Sequence, residues 1–270
     1  MMNCKICNSS TEILFNTKTN ILNKYSIDYH RCTQCNFIQT DEPFWLNEAY
    51  DSAITSLDIG LVSRNIRIST LLSSLIVTCF NTKGSFLDYG GGYGMLVRIM
   101  RDRGYDFYRF DKHCENLFSV HFDIEDATTK KFELVTAFEV FEHLLDPVAE
   151  TRKMLELSDS IFFSTELVPH YKISTSDDWW YFTPETGQHI ALYSEKSLQN
   201  LANQLNCNFY TNGKTLHLIT RRNINPLLFS LCIRGKIANI VSKMFTNKSL
   251  LDDDFKFIRG IANHTQGTTL

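Results

Sequence analysis

With 270 residues, 43% hydrophobic and 21% charged, the chain is long enough to bury one full core and carry a smaller appended unit. Its 27 Lys and Arg against 30 Asp and Glu leave a net charge of -3, which excludes a global attraction to polyanions such as nucleic acid and leaves room only for a local basic patch. The opening MMNCKICNSS lacks the basic and apolar runs of a secretory signal, and the apolar run LLSSLIVTCF (71–80) is too short and too polar to cross a bilayer, so a cytoplasmic protein is expected.

Residues 1–45 carry two C-x-x-C pairs, Cys4 with Cys7 and Cys32 with Cys35, separated by 24 residues. Each pair sets two sulfurs on one tight knuckle, and two knuckles complete a tetrahedron around Zn²⁺. A cytoplasmic chain keeps thiols reduced, so disulfides are the poorer explanation, and redox dithiols or chance thiols are the alternatives. A four-thiolate site has no open position, so its zinc is expected to be structural. His30 is a weaker candidate ligand. Cys79, Cys114, Cys207 and Cys232 stand alone and read as small buried hydrophobes.

Residues 46–80 have the pattern of helices leading into a core. Gly84 to Asp88 reads as a short buried strand, and Met95 to Arg103 as a helix ended by Gly104. Between them lies YGGGYG, with glycines at the strand-to-helix turn, where missing β-carbons let a nucleotide-like ligand approach backbone N–H groups. A dinucleotide fingerprint started at Gly90 would need Gly or Ala where Met95 stands, and the Gly-Lys-Ser/Thr of a P-loop is absent.

The pattern Asp88-x-Gly90-x-Gly92-x-Gly94 resembles the first motif of class I S-adenosylmethionine-dependent methyltransferases. Three later segments follow in that family's order. GYDFYRFD (104–111) reads as a strand ending in Asp111. KFELVTAFEVFEHLLDP (131–147) looks like the fourth strand with its Glu-His-Leu turn, and DSIFFSTEL (159–167) alternates like the fifth, with LHLITRR (216–222) as an antiparallel last strand. The resemblance, over 81–222, implies an α/β chain with a Rossmann-like doubly wound sheet and S-adenosylmethionine as cofactor. Asp88, Gly90, Gly92 and Gly94 would then cradle the methionine end and Asp111 the ribose. Phe122 and Asp123 would border the adenine, and Glu139, Glu142 and His143 would face the cofactor end of the sheet.

After the fifth strand, 168–190 is long, irregular and aromatic, a length more typical of an active-site lid than of an idle connection. Trp179, Trp180 and Tyr181 could offer flat faces to a sugar ring, or pack the lid onto the core. Ser194 with Ser197 reads as the cap of the next helix. GQHIALYSEKSL resembles a segment of bacterial sugar methyltransferases that carry an N-terminal four-cysteine zinc segment; the matching positions are Gln188, His189, Tyr193, Ser194, Ser197 and Leu198. The zinc segment resembles theirs as well, in R-C-x-x-C-N-F, Asp41-Glu42-Pro43 and Tyr50. Where that group often has Glu before the His, this chain has Gln188, which puts carbon methylation in doubt. The resemblance implies His189 as general base, with Glu185 to orient it and His143 as competitor.

Past 222, INPLLFSLCIRGKIANIVSKMF has helical spacing suited to core or dimer packing, and a membrane-surface role for it is disfavoured because it holds only three basic residues. The tail NHTQGTTL (263–270) has no core-forming residues. The acceptor expected is a sugar or glycan, with no transmembrane segment and homo-oligomers left open. The rival is a zinc-ribbon RNA methyltransferase, but residues 1–50 hold four basic and five acidic side chains, a poor surface for phosphates. A non-enzymatic module that keeps the cofactor fold is a third possibility, disfavoured by the intact Asp88–Gly94 motif and Asp111.

Overall fold

The computed structural model describes residues 2–18, 20–51 and 58–266, with side chains as far as Ile261. In chain order its elements are β1 (Thr11–Asn16), β2 (Asp28–Cys32), β3 (Ile38–Thr40), α1 (Leu46–Ala49), α2 (Leu61–Cys79), β4 (Ser85–Tyr89), α3 (Met95–Asp102), β5 (Asp106–Phe110) and β6 (Leu134–Ala137). There follow α4 (Pro147–Leu157), β7 (Ser160–Ser164), β8 (Ala191–Leu192), α5 (Glu195–Gln204), β9 (Asn208–Thr211), β10 (Leu216–Thr220), α6 (Pro226–Cys232), α7 (Gly235–Met244) and α8 (Leu251–Gln266). Contacts gather the chain into two units, residues 1–58 with 135–223, and 59–134 with 224–270.

In the first unit, β1, β2, β3 and β8 form an antiparallel sheet in that order. Its outer pairing matters most, because Ile38 lies opposite Leu192 and Gln39 opposite Ala191, joining the cysteine segment to the strand just after His189. The rings of Phe15, Tyr29 and Phe182 meet at centroid distances of 5.0–5.1 Å beneath this sheet. A second set of strands has β6 parallel to β7, and β10 antiparallel to both β7 and β9. Every residue of β7 and β10 is buried, which is why both carry apolar side chains on both faces and little strict alternation. The helix starts follow sequence chemistry. The Asp146 carboxylate accepts the Ala149 N–H with Pro147 in the first turn of α4, and the Ser194 hydroxyl accepts the Ser197 N–H of α5.

In the second unit, β4 and β5 pair in parallel from Ser85–Asp106 to Tyr89–Phe110, with Phe86 and Phe107 stacked at 5.0 Å. The helix α2 buries Ile68, Leu71, Leu72, Leu75 and Ile76, one stripe at helical spacing, and packs on α3, α6 and α7. Buried Arg101 of α3 makes a two-pronged bond to Asp254 of α8 (2.9 and 2.7 Å), a third to Asp106 (2.8 Å), and lies 3.8 Å over the Phe122 ring. Such a pair is stabilising only because each nitrogen finds its acceptor. Three expectations change here. Cys79 of α2 and Cys232 of α6 are neighbours and not isolated, the contact lowering the Cys79 pKa and raising that of Cys232. The amphipathic stretch after 222 is two helices, α6 and α7, whose Phe229, Cys232 and Ala238 are buried. The helix α8 continues through Gln266, into the expected tail, and residues 267–270 lie outside the described residues. No described helix is long and apolar enough to cross a membrane.

Candidate active site

At the end of β4 the glycine loop turns the chain into α3 using left-handed backbone at Gly90 (φ 70°), Gly92 (φ 54°) and Gly94 (φ 84°), which residues with a β-carbon adopt at a cost. The loop's own chain also needs the space. A β-carbon on Gly91 would stand 2.8 Å from Cγ of Arg109 and 3.0 Å from a carboxyl oxygen of buried Asp88. One on Gly94 would collide with the Ser119 hydroxyl and lie 2.8 Å from the Asn116 amide oxygen. No side chain caps the first turn of α3, leaving its opening amides to an outside acceptor.

Asp111 holds this loop. One carboxyl oxygen accepts the Gly92 N–H at 2.9 Å, and the other accepts the N–H groups of His113 (2.7 Å) and Cys114 (2.8 Å). A carboxylate has about four acceptor sites, so room remains for one further donor such as a ribose hydroxyl. Arg109 is the residue that motif reasoning missed. Buried on β5, it donates to the carbonyls of Gly92 (2.5 Å) and Cys114 (3.0 Å) and to Asp123 (2.7 Å). Alternation along GYDFYRFD is the signal that could have found it, since a charge at an inward position needs partners. Asp123 gives its oxygens to Arg109 and to the Asn116 amide (3.0 Å), so it braces the loop. Phe122 is turned into the packing of Arg101 and Phe257, with the Phe257 ring at 6.1 Å.

In the first unit, Glu139, Glu142, His143 and His189 come together after β6. Glu139 adopts φ 55°, and its carboxylate accepts the Ser164 hydroxyl at 2.6 Å while its N–H donates to the same oxygen at 2.9 Å. Left-handed backbone at a charged residue is strained, a condition common at functional sites. Glu142 is fully buried, and neither carboxyl oxygen has a hydrogen-bond partner among the described residues. Burial first, then the charge of Glu139, pushes its pKa up to about 8, against a partial pull from the Tyr181 and Thr165 hydroxyls. The rings of His143 and His189 lie 5.0 Å apart, edge to face. Nδ1 of His143 is 3.1 Å from the Gln188 carbonyl and Nδ1 of His189 is 2.6 Å from the Tyr181 carbonyl. A carbonyl only accepts, so in both rings Nδ1 carries a proton, and in neutral His189 the lone pair is on Nε2. Burial lowers the His189 pKa, keeping that lone pair in place near neutrality. The orienting partner of His189 is therefore the Tyr181 carbonyl, while Glu185 is exposed.

The family profile described as a methyltransferase domain matches residues 64–212, which is 149 of the 270 residues. The chain belongs to that methyltransferase family. Its mixed α/β strands and glycine loop accordingly form the Rossmann-like fold of class I methyltransferases. Similar solved structures include the mitomycin 7-O-methyltransferase MmcR, at 14% identity and TM-score 0.39 over 57% of this chain and 54% of that one. Others are the plantazolicin methyltransferase BpumL in complex with a monoazolic desmethylPZN analog and SAH (12%, TM-score 0.46, 66% and 93%), and the magnesium protoporphyrin IX methyltransferase ChlM from Synechocystis PCC 6803 with bound SAH (12%, TM-score 0.41, 66% and 95%). The chain spans little more than half the length of the mitomycin enzyme. A comparison with curated proteins finds no match.

Two further parts of the chain are the cysteine segment and the aromatic stretch 168–190. The four cysteines gather as expected, with sulfur separations of 3.6 Å (Cys4–Cys35), 3.4 Å (Cys7–Cys32) and 3.5 Å (Cys7–Cys35). A tetrahedral Zn²⁺ with bonds near 2.3 Å would set them about 3.8 Å apart, so the cluster fits a metal of that size. The N–H groups of Ile6, Gln34 and Cys35 point at sulfurs at 3.4 Å, the knuckle pattern that steadies thiolates. His30 belongs elsewhere, bonded to Asp41 at 2.7 Å. The cysteine segment reaches the 168–190 stretch and the cap of α5 through Ser194 donating to the Cys35 carbonyl (2.5 Å), Tyr29 to the His189 carbonyl (3.3 Å), Trp45 to the Gly187 carbonyl (2.8 Å) and the Gln188 amide to Ala49 (2.8 Å). Of the three lid aromatics, Trp179 and Tyr181 are buried against Phe182 and His189, and only Trp180, 67% exposed, is open to a ligand.

Proposed function

We propose that this methyltransferase transfers the methyl group of S-adenosylmethionine to a hydroxyl or carbon of a sugar, nucleotide-linked or part of a surface glycan, in the cytoplasm. Asp88, Gly90, Gly92, Gly94 and Asp111 would hold the cofactor, whose sulfonium supplies a methyl already activated for attack. What the protein adds is alignment of the acceptor and loss of its proton. Proton loss depends most on His189, whose Nε2 carries the lone pair, and next on His143. Zn²⁺ at Cys4, Cys7, Cys32 and Cys35 would be structural, holding the turn between β2 and β3 with no open position for chemistry.

The observation that carries the sugar reading is the β3–β8 pairing. The two segments that resemble the sugar group, the cysteine segment and the stretch around His189, are built as one body. A zinc unit serving as an RNA clamp has no need to be laid against the acceptor-side histidine, and its charge balance is unsuited to phosphates. The test is transfer of label from radioactive S-adenosylmethionine into a cell extract, with products divided into ribonuclease-sensitive polymer and small anionic or glycan material. Label in the second fraction is expected. Label lost on ribonuclease treatment overturns the sugar reading in favour of RNA.

A further inference from the structure

The cluster after β6 holds more than proton transfer requires. One ligand-capable atom from each of Glu142, His143 and His189 lies within 4.8 Å of the others. Both imidazoles donate Nδ1–H to a backbone carbonyl, Gln188 for one and Tyr181 for the other. That is the arrangement which fixes a metal-binding histidine with its Nε2 lone pair outward. Between them Glu142 is fully buried with two oxygens that make no full hydrogen bond among the described residues, the Tyr181 and Thr165 hydroxyls exerting only a partial pull, and a buried carboxylate so poorly satisfied is costly. A missing positive charge explains all three features together.

We propose that Glu142, His143 and His189 bind a divalent transition-metal ion through one carboxyl oxygen and two Nε2 atoms. Two imidazoles select a borderline ion such as Zn²⁺ over Mg²⁺ or Ca²⁺, which prefer all-oxygen shells. Ligands on such an ion stand about 3.4 Å apart for bonds near 2.1 Å, so any pair at the 4.8 Å limit must close by about 1.4 Å on binding. Three protein ligands leave a position open, unlike the closed four-cysteine site. Glu139, held by Ser164 beside the cluster, adds negative charge that favours a cation. The inference rests on the reading of this cluster as the place where the acceptor loses its proton. With an ion bound, His189 would aid proton loss as a ligand and not as the base: a hydroxyl in the open position would ionise more readily, and its proton would pass to solvent.

The experiment uses the full chain with its cysteine site saturated with Zn²⁺. Co²⁺ is then titrated by calorimetry and visible absorption, alongside S-adenosylhomocysteine binding on the same samples. One additional ion per chain is expected, with the absorption of nitrogen and oxygen ligation and no thiolate-to-metal band. In Glu142→Gln and in His189→Gln the affinity for that ion should fall by more than the roughly 10–100-fold that losing a merely supporting partner costs. Circular dichroism confirms that each variant is folded, and Glu142→Gln keeps the shape of the side chain if His189→Gln does not fold. No second ion in the wild type, or an undiminished second ion in folded Glu142→Gln, overturns the proposal. Failure of S-adenosylhomocysteine to bind would instead sink the methyl-transfer reading and leave the metal result standing.

Discussion

Replacing Gly94 by Ala tests why the loop is glycine-rich. Gly94 has φ 84°, where a β-carbon costs about 1–2 kcal/mol. The new methyl would also meet the Ser119 hydroxyl and the Asn116 amide oxygen. Those two residues form a turn with three hydrogen bonds: Ser119 N–H to Asn116 (2.9 Å), Ser119 hydroxyl to Asn116 (3.0 Å), and Asn116 amide to the Ser119 carbonyl (2.8 Å). Breaking two or three of them at about 1 kcal/mol each brings the loss to roughly 3–5 kcal/mol. The control is Gly213→Ala, where φ is 74° but no atom lies within 4 Å, so about 1–2 kcal/mol is expected for the backbone alone. Urea denaturation of both variants measures the difference. Because Asn116 braces Asp123, which braces Arg109 and through it Gly92, Gly94→Ala should also weaken S-adenosylhomocysteine by about tenfold or more, which is 1.4 kcal/mol. Equal destabilisation of the two variants would refute the packing argument.

Trp180→Ala should raise KM for the acceptor while leaving stability within about 0.5 kcal/mol, as for an exposed side chain, whereas Trp179→Ala should destabilise by about 3–5 kcal/mol; thermal melts and steady-state kinetics separate the two. Chelating the cysteine-site metal should speed amide exchange in 38–40 and carry through the β3–β8 pairing into 189–193, and exchange confined to the cysteine segment would contradict that coupling. Buried His217, held by Thr211 and the Thr165 carbonyl, has its pKa lowered to about 4 by burial. As pH falls through 6.5 the unfolded chain takes up this proton first, so stability is full above that pH. It should decline by about 3 kcal/mol down to pH 4, a slope measured by denaturant titration at several pH values and flattened in His217→Gln.

Much of the fold was readable because its signals are local. Period and turn residues placed β4, α3 and β5, and Asp146-Pro147 and Ser194 announced α4 and α5. The four cysteines followed from spacing alone. What escaped depends on contacts between distant segments. Arg109 looks like any strand arginine until Gly92, Cys114 and Asp123 close around it. Trp179 and Trp180 are neighbours in sequence, yet one is buried and the other exposed, since a short helical turn (Trp180–Phe182) rotates them apart. Glu185 was the natural carboxylate partner for His189 by proximity in sequence, but the lid folds the Tyr181 carbonyl onto the ring. Likewise Phe122 was assigned by position, and Arg101 and Phe257 determine where it packs.

Methyl transfer requires that the loop from Asp88 to Gly94 with Asp111 receive the cofactor. Calorimetric titration of the intact chain with S-adenosylhomocysteine measures this without knowledge of the acceptor. Saturable binding of one molecule per chain is predicted, weakened by roughly 10–100-fold in Asp111→Ala as hydrogen bonds to a charged group are lost. A folded wild-type protein that takes up no S-adenosylhomocysteine would contradict it.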